Sequence, residues 1–130
     1  MHFRFLSLVA IAAVSLALPA WAHHSHANYQ TKEFTQMEGT VKEMHWLNPH
    51  TWIYLEVKDD KGKPTVWVLE GGSPSALTNG GWKKDDVKVG DTIKVRCHAL
   101  KDSSNGCLLG FVTPTHGDVA RGHGVEREWD

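Results

Sequence analysis

The chain has 130 residues and a formal net charge of −1 with its histidines neutral, so it lacks the concentrated basic face that nucleic-acid binding requires. Its length predicts one small domain, and no basic amphipathic helix indicates a membrane surface. The sequence contains no Gly-x-Ser-x-Gly elbow, no phosphate-binding loop and no His-Glu-x-x-His. An enzymatic activity is therefore left open but is not favoured.

The N-terminus has the pattern of a secretory signal peptide. Arg4 supplies a basic residue, residues 6–18 form an apolar run that is short for a membrane span, and residues 19–22 read Pro-Ala-Trp-Ala. Cleavage is expected after Ala22, which would leave a mature chain of 108 residues without a membrane-spanning segment. We therefore expect a periplasmic or secreted protein.

From Gln36 onwards apolar and polar residues alternate, as they do in β-strands. The alternation changes phase between residues 37–41 and residues 44–46. A period of two cannot change phase without an extra residue, so a β-bulge is expected near Lys42 and Glu43. A long, bent first strand of this kind is what a small closed barrel requires.

Strand patterns continue after this bulge, interrupted by turns and by one short helix. Further strands are expected at residues 50–58, 65–70, 92–99 and 106–113, and a serine before Pro74 starts a helix of about two turns. Three strands in a meander, a short helix and two strands are the order of an OB-fold barrel, with a small open sandwich as the alternative. We therefore predict an all-β fold, a small five-stranded OB-fold-like barrel with one short helix between strands 3 and 4.

The chain then divides into a signal peptide (1–22), an N-terminal arm (23–35), an OB-like β-barrel domain (36–116) and a flexible, glycine-rich tail (117–130). Cys97 and Cys107 fall on the inward phase of neighbouring strands, and an oxidising compartment favours a disulfide between them. The predicted core consists of the inward-facing apolar residues Val41, Ile53, Leu55, Val57, Val66, Val68, Ile93, Val95, Leu109 and Phe111.

Several short motifs occur in order along the chain: His23-His24-Ser25, Gly39-Thr40-Val41, Trp46-x-Asn48-Pro49-His50, Trp67-x-x-Glu70, Ser73-Pro74-x-x-Leu77, Gly81-Trp82 and Gly90-Asp91. Together they resemble a domain-of-unknown-function family of small secreted bacterial proteins. The resemblance covers nearly all of the mature chain and implies a periplasmic β-barrel-like domain. It implies no activity, because that family has no established one. The chain departs from the family pattern at His26, the cysteine pair and the histidines of the tail.

The mature N-terminus would read His23-His24-Ser25-His26. The amine and the ring of an N-terminal histidine can hold one metal ion together, and a further imidazole completes a nitrogen set that suits Cu(II). His50, after the turn-forming Asn-Pro pair, is the best partner for the arm, while His45 and Glu70 are possible ligands or outer partners. These residues predict a small periplasmic copper-binding protein with the metal ligands His23, His24, His26 and His50.

Two other interpretations remain open. The arm histidines could be merely polar, and His50 could be a corner histidine whose ring bonds to a backbone carbonyl. Alternatively, Trp46, Trp52 and Tyr54 could form an aromatic face for a small ligand or a periplasmic protein partner. The protein would then be a non-catalytic binding module, and its metal content separates the hypotheses. His98, His116 and His123 are left out of the predicted site.

Overall fold

The structure, a computed structural model, describes residues 25–130. The predicted signal peptide, its cleavage site, His23 and His24 lie outside the described residues. The strands are β1 (Thr35–His45), β2 (Trp52–Lys58), β3 (Pro64–Glu70), β4 (Thr92–Ala99), β5 (Gly106–Pro114) and β6 (Arg127–Glu128), and the α-helix is α1 (Pro74–Asn79). Single 3₁₀ turns occur at Ser25–Asn28, Lys84–Asp86 and Val119–Arg121.

The first five strands form a closed barrel. Antiparallel pairing gives the order β3-β2-β1-β4-β5, and a short parallel pairing between β3 and β5 closes the sheet. α1 lies between β3 and β4 in the chain, where Ser73 caps its first turn by accepting the N–H of Ala76. The predicted OB-fold-like barrel with one short α-helix between strands 3 and 4 is therefore confirmed.

β1 is the strand that serves both halves of the barrel. Residues 35–40 pair with β4, and residues 40–45 pair with β2. The register with β2 shifts between Val41 and Glu43, so the predicted bulge is confirmed at Lys42. The extra residue lets both Val41 and Met44 point towards the barrel interior, since it reverses the alternation between them.

Most of the predicted core is buried, but three residues were assigned to the wrong face. On β3, Trp67 and Leu69 pair with the inward residues of β2, which leaves Val66 46% exposed and Val68 on the outer face. On β5, a register shift at Gly110 reverses the alternation, so that Val112 is buried and Phe111 lies under Arg96 on the outer face. The predicted members that the structure confirms as buried are Val41, Ile53, Leu55, Ile93, Val95 and Leu109, while Val57 is partly buried against them.

The predicted disulfide is present between Cys97 of β4 and Cys107 of β5, with their Cα atoms 5.6 Å apart. Both cysteines are fully buried, so the bond lies within the core. It joins the two strands beside the loop that connects them. Among residues 25–130, no helix combines the length and the apolar character that crossing a membrane would need.

The C-terminal segment packs against the barrel and is not a loose tail. Trp129 is fully buried, its ring meets Trp82 edge-on at 4.5 Å, and its indole N–H donates to Thr51 Oγ1 at 3.1 Å. β6 adds two residues to the edge of β5. Residues 117–130 therefore belong to the packed domain, and the expectation of a flexible tail for them is corrected.

Candidate functional site

A histidine and a glutamate lie side by side where the bend between β1 and β2 meets the end of β3. His50 follows the turn at Asn48-Pro49, and Glu70 is the last residue of β3. Trp52 is the Cα partner of Glu70, which brings the start of β2 next to the end of β3. His50 Nε2 lies 3.7 Å from Glu70 Oε1. The structure thus brings together two of the residues singled out from the sequence.

The other nitrogen of the His50 ring identifies which tautomer is present. Nδ1 lies 3.2 Å from the carbonyl oxygen of Gly71, and a carbonyl can only accept a hydrogen bond. Nδ1 must therefore carry the proton, and in a neutral ring Nε2 presents its lone pair to Glu70. A metal-binding histidine commonly donates its second ring N–H to a backbone carbonyl in this way. The corner-histidine contact and a metal-binding orientation are thus compatible.

Glu70 is buried, and its second oxygen is already bonded. The Tyr29 hydroxyl donates to Glu70 Oε2 at 2.7 Å, and both side chains are largely hidden from solvent. Burial raises the pKa of Tyr29 above its ordinary value, and the hydrogen bond to Glu70 and the negative charge of that group raise it further. Tyr29 therefore keeps its proton at neutral pH and acts as the donor. Glu70 Oε1 remains as the oxygen that faces His50.

Tyr29 belongs to the N-terminal arm, which docks along the β4–β5 loop. Tyr29 forms an isolated bridge with Leu100. The Gln30 N–H donates to the carbonyl of Ala99, and the Lys101 N–H donates to the carbonyl of Asn28, both at 2.9 Å. The arm therefore enters the domain beside the His50–Glu70 pair.

The sequence contained only a weak signal for Tyr29. It is the one aromatic residue between His23 and Glu33, in a stretch with no strand or helix period. An aromatic residue in a polar arm suggests an anchor. Its partner could not be named, because Glu70 lies 41 residues further along the chain.

His26 lies in a different place from the His50–Glu70 pair. It lines an open cleft of about 310 Å³ together with His98, Phe34, Glu128 and Asp130. The described range 25–130 contains no group of three or more His, Cys, Asp or Glu side chains arranged to hold a metal ion. Of the four predicted metal ligands, the structure therefore places His50 beside a carboxylate and His26 in the neighbouring cleft.

The predicted aromatic face is divided between two sides of the barrel wall. Trp46 packs against the core, edge-on to Trp129 with ring centroids 6.3 Å apart. Trp52 and Tyr54 alternate with buried residues of β2 and are half-buried on the outer side. His45 lies beside Tyr54, where its Nε2 contacts Glu43 Oε2 at 2.9 Å. Trp46 therefore does not share one surface with the other two aromatic residues.

Fold and site together define a small OB-fold-like barrel whose N-terminal arm is anchored beside a histidine–glutamate pair. The chain matches DUF6152, a family of unknown function, over residues 11–109, and it belongs to that family. The family resemblance found in the sequence motifs is thereby confirmed. No curated protein and no solved structure matches the chain. The matched range contains Tyr29, His50 and Glu70 but not Trp129.

Proposed function

We propose that this protein binds copper between His50 and Glu70, with further nitrogen donors from the N-terminal histidines. The observation that carries the proposal is that two hydrogen-bond acceptors, His50 Nε2 and Glu70 Oε1, face each other. In its neutral form the His50 ring presents the lone pair of Nε2 to Glu70, and an ionised carboxylate also only accepts hydrogen bonds. Glu70 is buried, whereas 35% of the His50 side chain is exposed, and a buried acceptor that faces a second acceptor is unfavourable unless a cation lies between them. A metal ion or a proton fulfils that need.

The distance between the two acceptors suits a shared metal ion. Ligand nitrogen and oxygen atoms lie about 2.0–2.2 Å from such an ion, so neighbouring ligands of a tetragonal Cu(II) ion are about 3.0 Å apart. His50 Nε2 and Glu70 Oε1 are separated by 3.7 Å. A movement of about 0.7 Å would let both atoms bind one ion.

The remaining donors are proposed to come from the arm. His24 precedes the anchored Tyr29 by five residues, and an extended chain covers at most about 3.6 Å per residue, so a reach of up to about 18 Å is available. The amine and ring of His23 would add two nitrogens, which with His50 and Glu70 give the nitrogen and oxygen set that suits Cu(II). His24 is the alternative donor, while His26 contributes only if its side chain leaves the cleft beside His98.

The expected periplasmic or secreted location supports copper as the metal. The signal-peptide pattern of residues 1–22 favours a periplasmic or secreted protein, and cleavage after Ala22 would free the amine of His23. The two cysteines form a disulfide, so the described domain offers no thiolate that would favour Cu(I). Imidazole and amine donors bind Cu(II) more tightly than Zn(II).

The test is a Cu(II) titration of the mature protein beginning at His23, compared with three variants. These are His50→Ala, a form with one residue added before His23, and the control His123→Ala, which removes an exposed histidine from the C-terminal segment. We expect one tight site in the mature protein and the control, and weaker binding in the other two. The nitrogen donors must lose protons, so affinity should fall steeply below about pH 6.

Equal binding by all four proteins would contradict the proposed site. The alternative function, a binding module for a small ligand or a protein partner, would then rest on Trp52 and Tyr54, which remain on the outer side of β2. A Trp52→Ala variant would lose binding to such a partner without any change in metal content.

A further inference from the structure

We propose that Tyr29 couples docking of the N-terminal arm to metal binding at His50 and Glu70. This inference rests on the proposed copper site and concerns its regulation. Tyr29 would touch no metal itself. It positions the carboxylate of Glu70 and anchors the arm. Docking of the arm therefore favours metal binding, and metal binding favours docking.

The arm buries a single side chain, although the exposed ring of Phe34 also stacks on His98 at 4.3 Å. Among residues 26–34, Tyr29 is the only buried residue, with 6% of its surface exposed, and all the others are exposed. The other attachments between Asn28 and Gln30 and the barrel are backbone hydrogen bonds to Ala99 and Lys101. Loss of the Tyr29 contact would therefore release the part of the arm that precedes Phe34, without disturbing the barrel strands.

The same contact orients the carboxylate of Glu70. A buried carboxylate can rotate about its last bond unless a hydrogen bond fixes one of its oxygens. The Tyr29 hydroxyl holds Oε2 at 2.7 Å, which leaves Oε1 directed at His50. Partners that orient a ligand from behind typically change metal affinity by 10–100-fold when they are removed.

Coupling between two binding events is reciprocal. If the docked arm raises the affinity for copper by a given factor, bound copper must stabilise the docked arm by the same factor. A protein without metal would therefore undock its arm more often than a copper-bound one, while its barrel stayed folded.

Tyr29→Phe is the matched test, because it keeps the ring and removes only the hydroxyl. Tyr54→Phe is the control, since Tyr54 is half-buried on β2 and its ring lies beside His45. We expect Tyr29→Phe to bind Cu(II) 10–100-fold more weakly and Tyr54→Phe to match the wild type. Equilibrium unfolding of each variant gives the folded fraction. The measured copper affinity is then corrected for that fraction.

Amide hydrogen exchange measures docking of the arm directly. The N–H groups of Gln30 and Lys101 report docking, because their hydrogen bonds join the arm to the barrel. Copper should slow exchange at both positions in the wild type and have a 10–100-fold smaller effect in Tyr29→Phe. A structural role alone would raise exchange in the variant without making it insensitive to copper.

The outcomes separate the two proposals. A wild-type protein that binds no Cu(II) would overturn both the copper site and the coupling. A wild-type protein that binds Cu(II), together with Tyr29→Phe that binds equally well, would overturn the coupling alone. Copper that leaves the exchange of Gln30 and Lys101 unchanged in the wild type would do the same.

Discussion

The two end segments of the domain lie against the same barrel but are held by different forces. The N-terminal arm buries one side chain, Tyr29, whose hydroxyl depends on a charged partner, Glu70. The C-terminal segment buries Trp129 completely, with Trp82 and Trp46 around it. The arm is therefore anchored to the candidate site, whereas the C-terminal segment is anchored to the core.

An ion pair and a cation–π contact reinforce the C-terminal segment. Arg121 reaches Asp91 at 2.7 Å, and Arg127 lies over the ring of Trp82 at 3.6 Å. Burial alone would raise the pKa of Asp91, but hydrogen bonds from Arg121 and from the N–H of Lys88, with the charge of Arg121, bring it below its ordinary value. This segment should leave the barrel only in global unfolding, while the arm can open locally.

The largest effect should come from Trp129→Ala. Removing a fully buried indole leaves a cavity and takes away the hydrogen bond that Thr51 Oγ1 accepts, so the free energy of unfolding should fall by about 3–5 kcal/mol. Urea unfolding measures the loss, and Trp52→Ala, at a half-buried position, should cost clearly less. Equal losses at the two positions would mean that the C-terminal segment does not close the core.

The disulfide comes next. Replacing Cys97 and Cys107 by serine opens a loop of 10 residues, which in the chain-entropy model costs about 3 kcal/mol. The loop carries Leu100 and Lys101, to which the arm docks. We therefore expect faster amide exchange at Gln30 than at Trp129 in the double variant. A uniform increase at both ends would show that the loop does not act on the arm in particular.

Tyr29→Phe should have a smaller effect on stability than either of these. It removes a hydrogen bond to a charged group, which typically contributes about 1.5–3 kcal/mol. The pKa of Tyr29 is raised in the folded protein, so its contribution is fully present below the unfolded value of about 10 and is lost as the pH rises through the folded value. The stability difference between wild type and Tyr29→Phe, measured by urea unfolding from pH 8 to 11, should therefore shrink at the alkaline end. A difference that is constant with pH would contradict this role for the hydroxyl.

Local signals in the sequence were sufficient for the barrel. The phase change at Lys42, the serine–proline start of α1 and the inward phase of Cys97 and Cys107 each depend on a few neighbouring residues, and each is confirmed. Local signals could not show which face of β3 is buried, because residues 66–69 are apolar on both faces. There the pairing with β2 decided which residues face inward.

Contacts between distant parts of the chain account for the remaining errors. Trp129 lies in a glycine-rich segment without a strand period, and its partner Thr51 is 78 residues away. His50 and Glu70 were both recognised as candidates, since their residue types can bind metal. The contact between Tyr29 and Glu70 required the closed barrel, which brings the ends of β3 and β4 together through β5.

In the metal-free protein, Glu70→Gln is expected to change the free energy of unfolding least. Whether the variant is more or less stable than the wild type is the sharpest test of the site. Glutamine has the same shape, its oxygen can accept the Tyr29 hydroxyl, and its amide N–H can donate to the lone pair of His50 Nε2. The variant should therefore be as stable as the wild type or more stable by about 0.5–1.5 kcal/mol.

With copper bound, the wild type should become more stable than Glu70→Gln. A ligand present at 100 times its dissociation constant stabilises the folded state by about 2.7 kcal/mol, and Glu70→Gln should lose most of this gain because an amide is a poor substitute for a carboxylate ligand. Thermal unfolding at pH 7 with and without Cu(II) measures both effects in one series. If Glu70→Gln destabilises the metal-free protein by more than about 2 kcal/mol, the charge of Glu70 is part of the fold. The His50–Glu70 pair would then be an ion pair that holds the bend to β3, and the Tyr29 contact would serve the fold instead of a metal site.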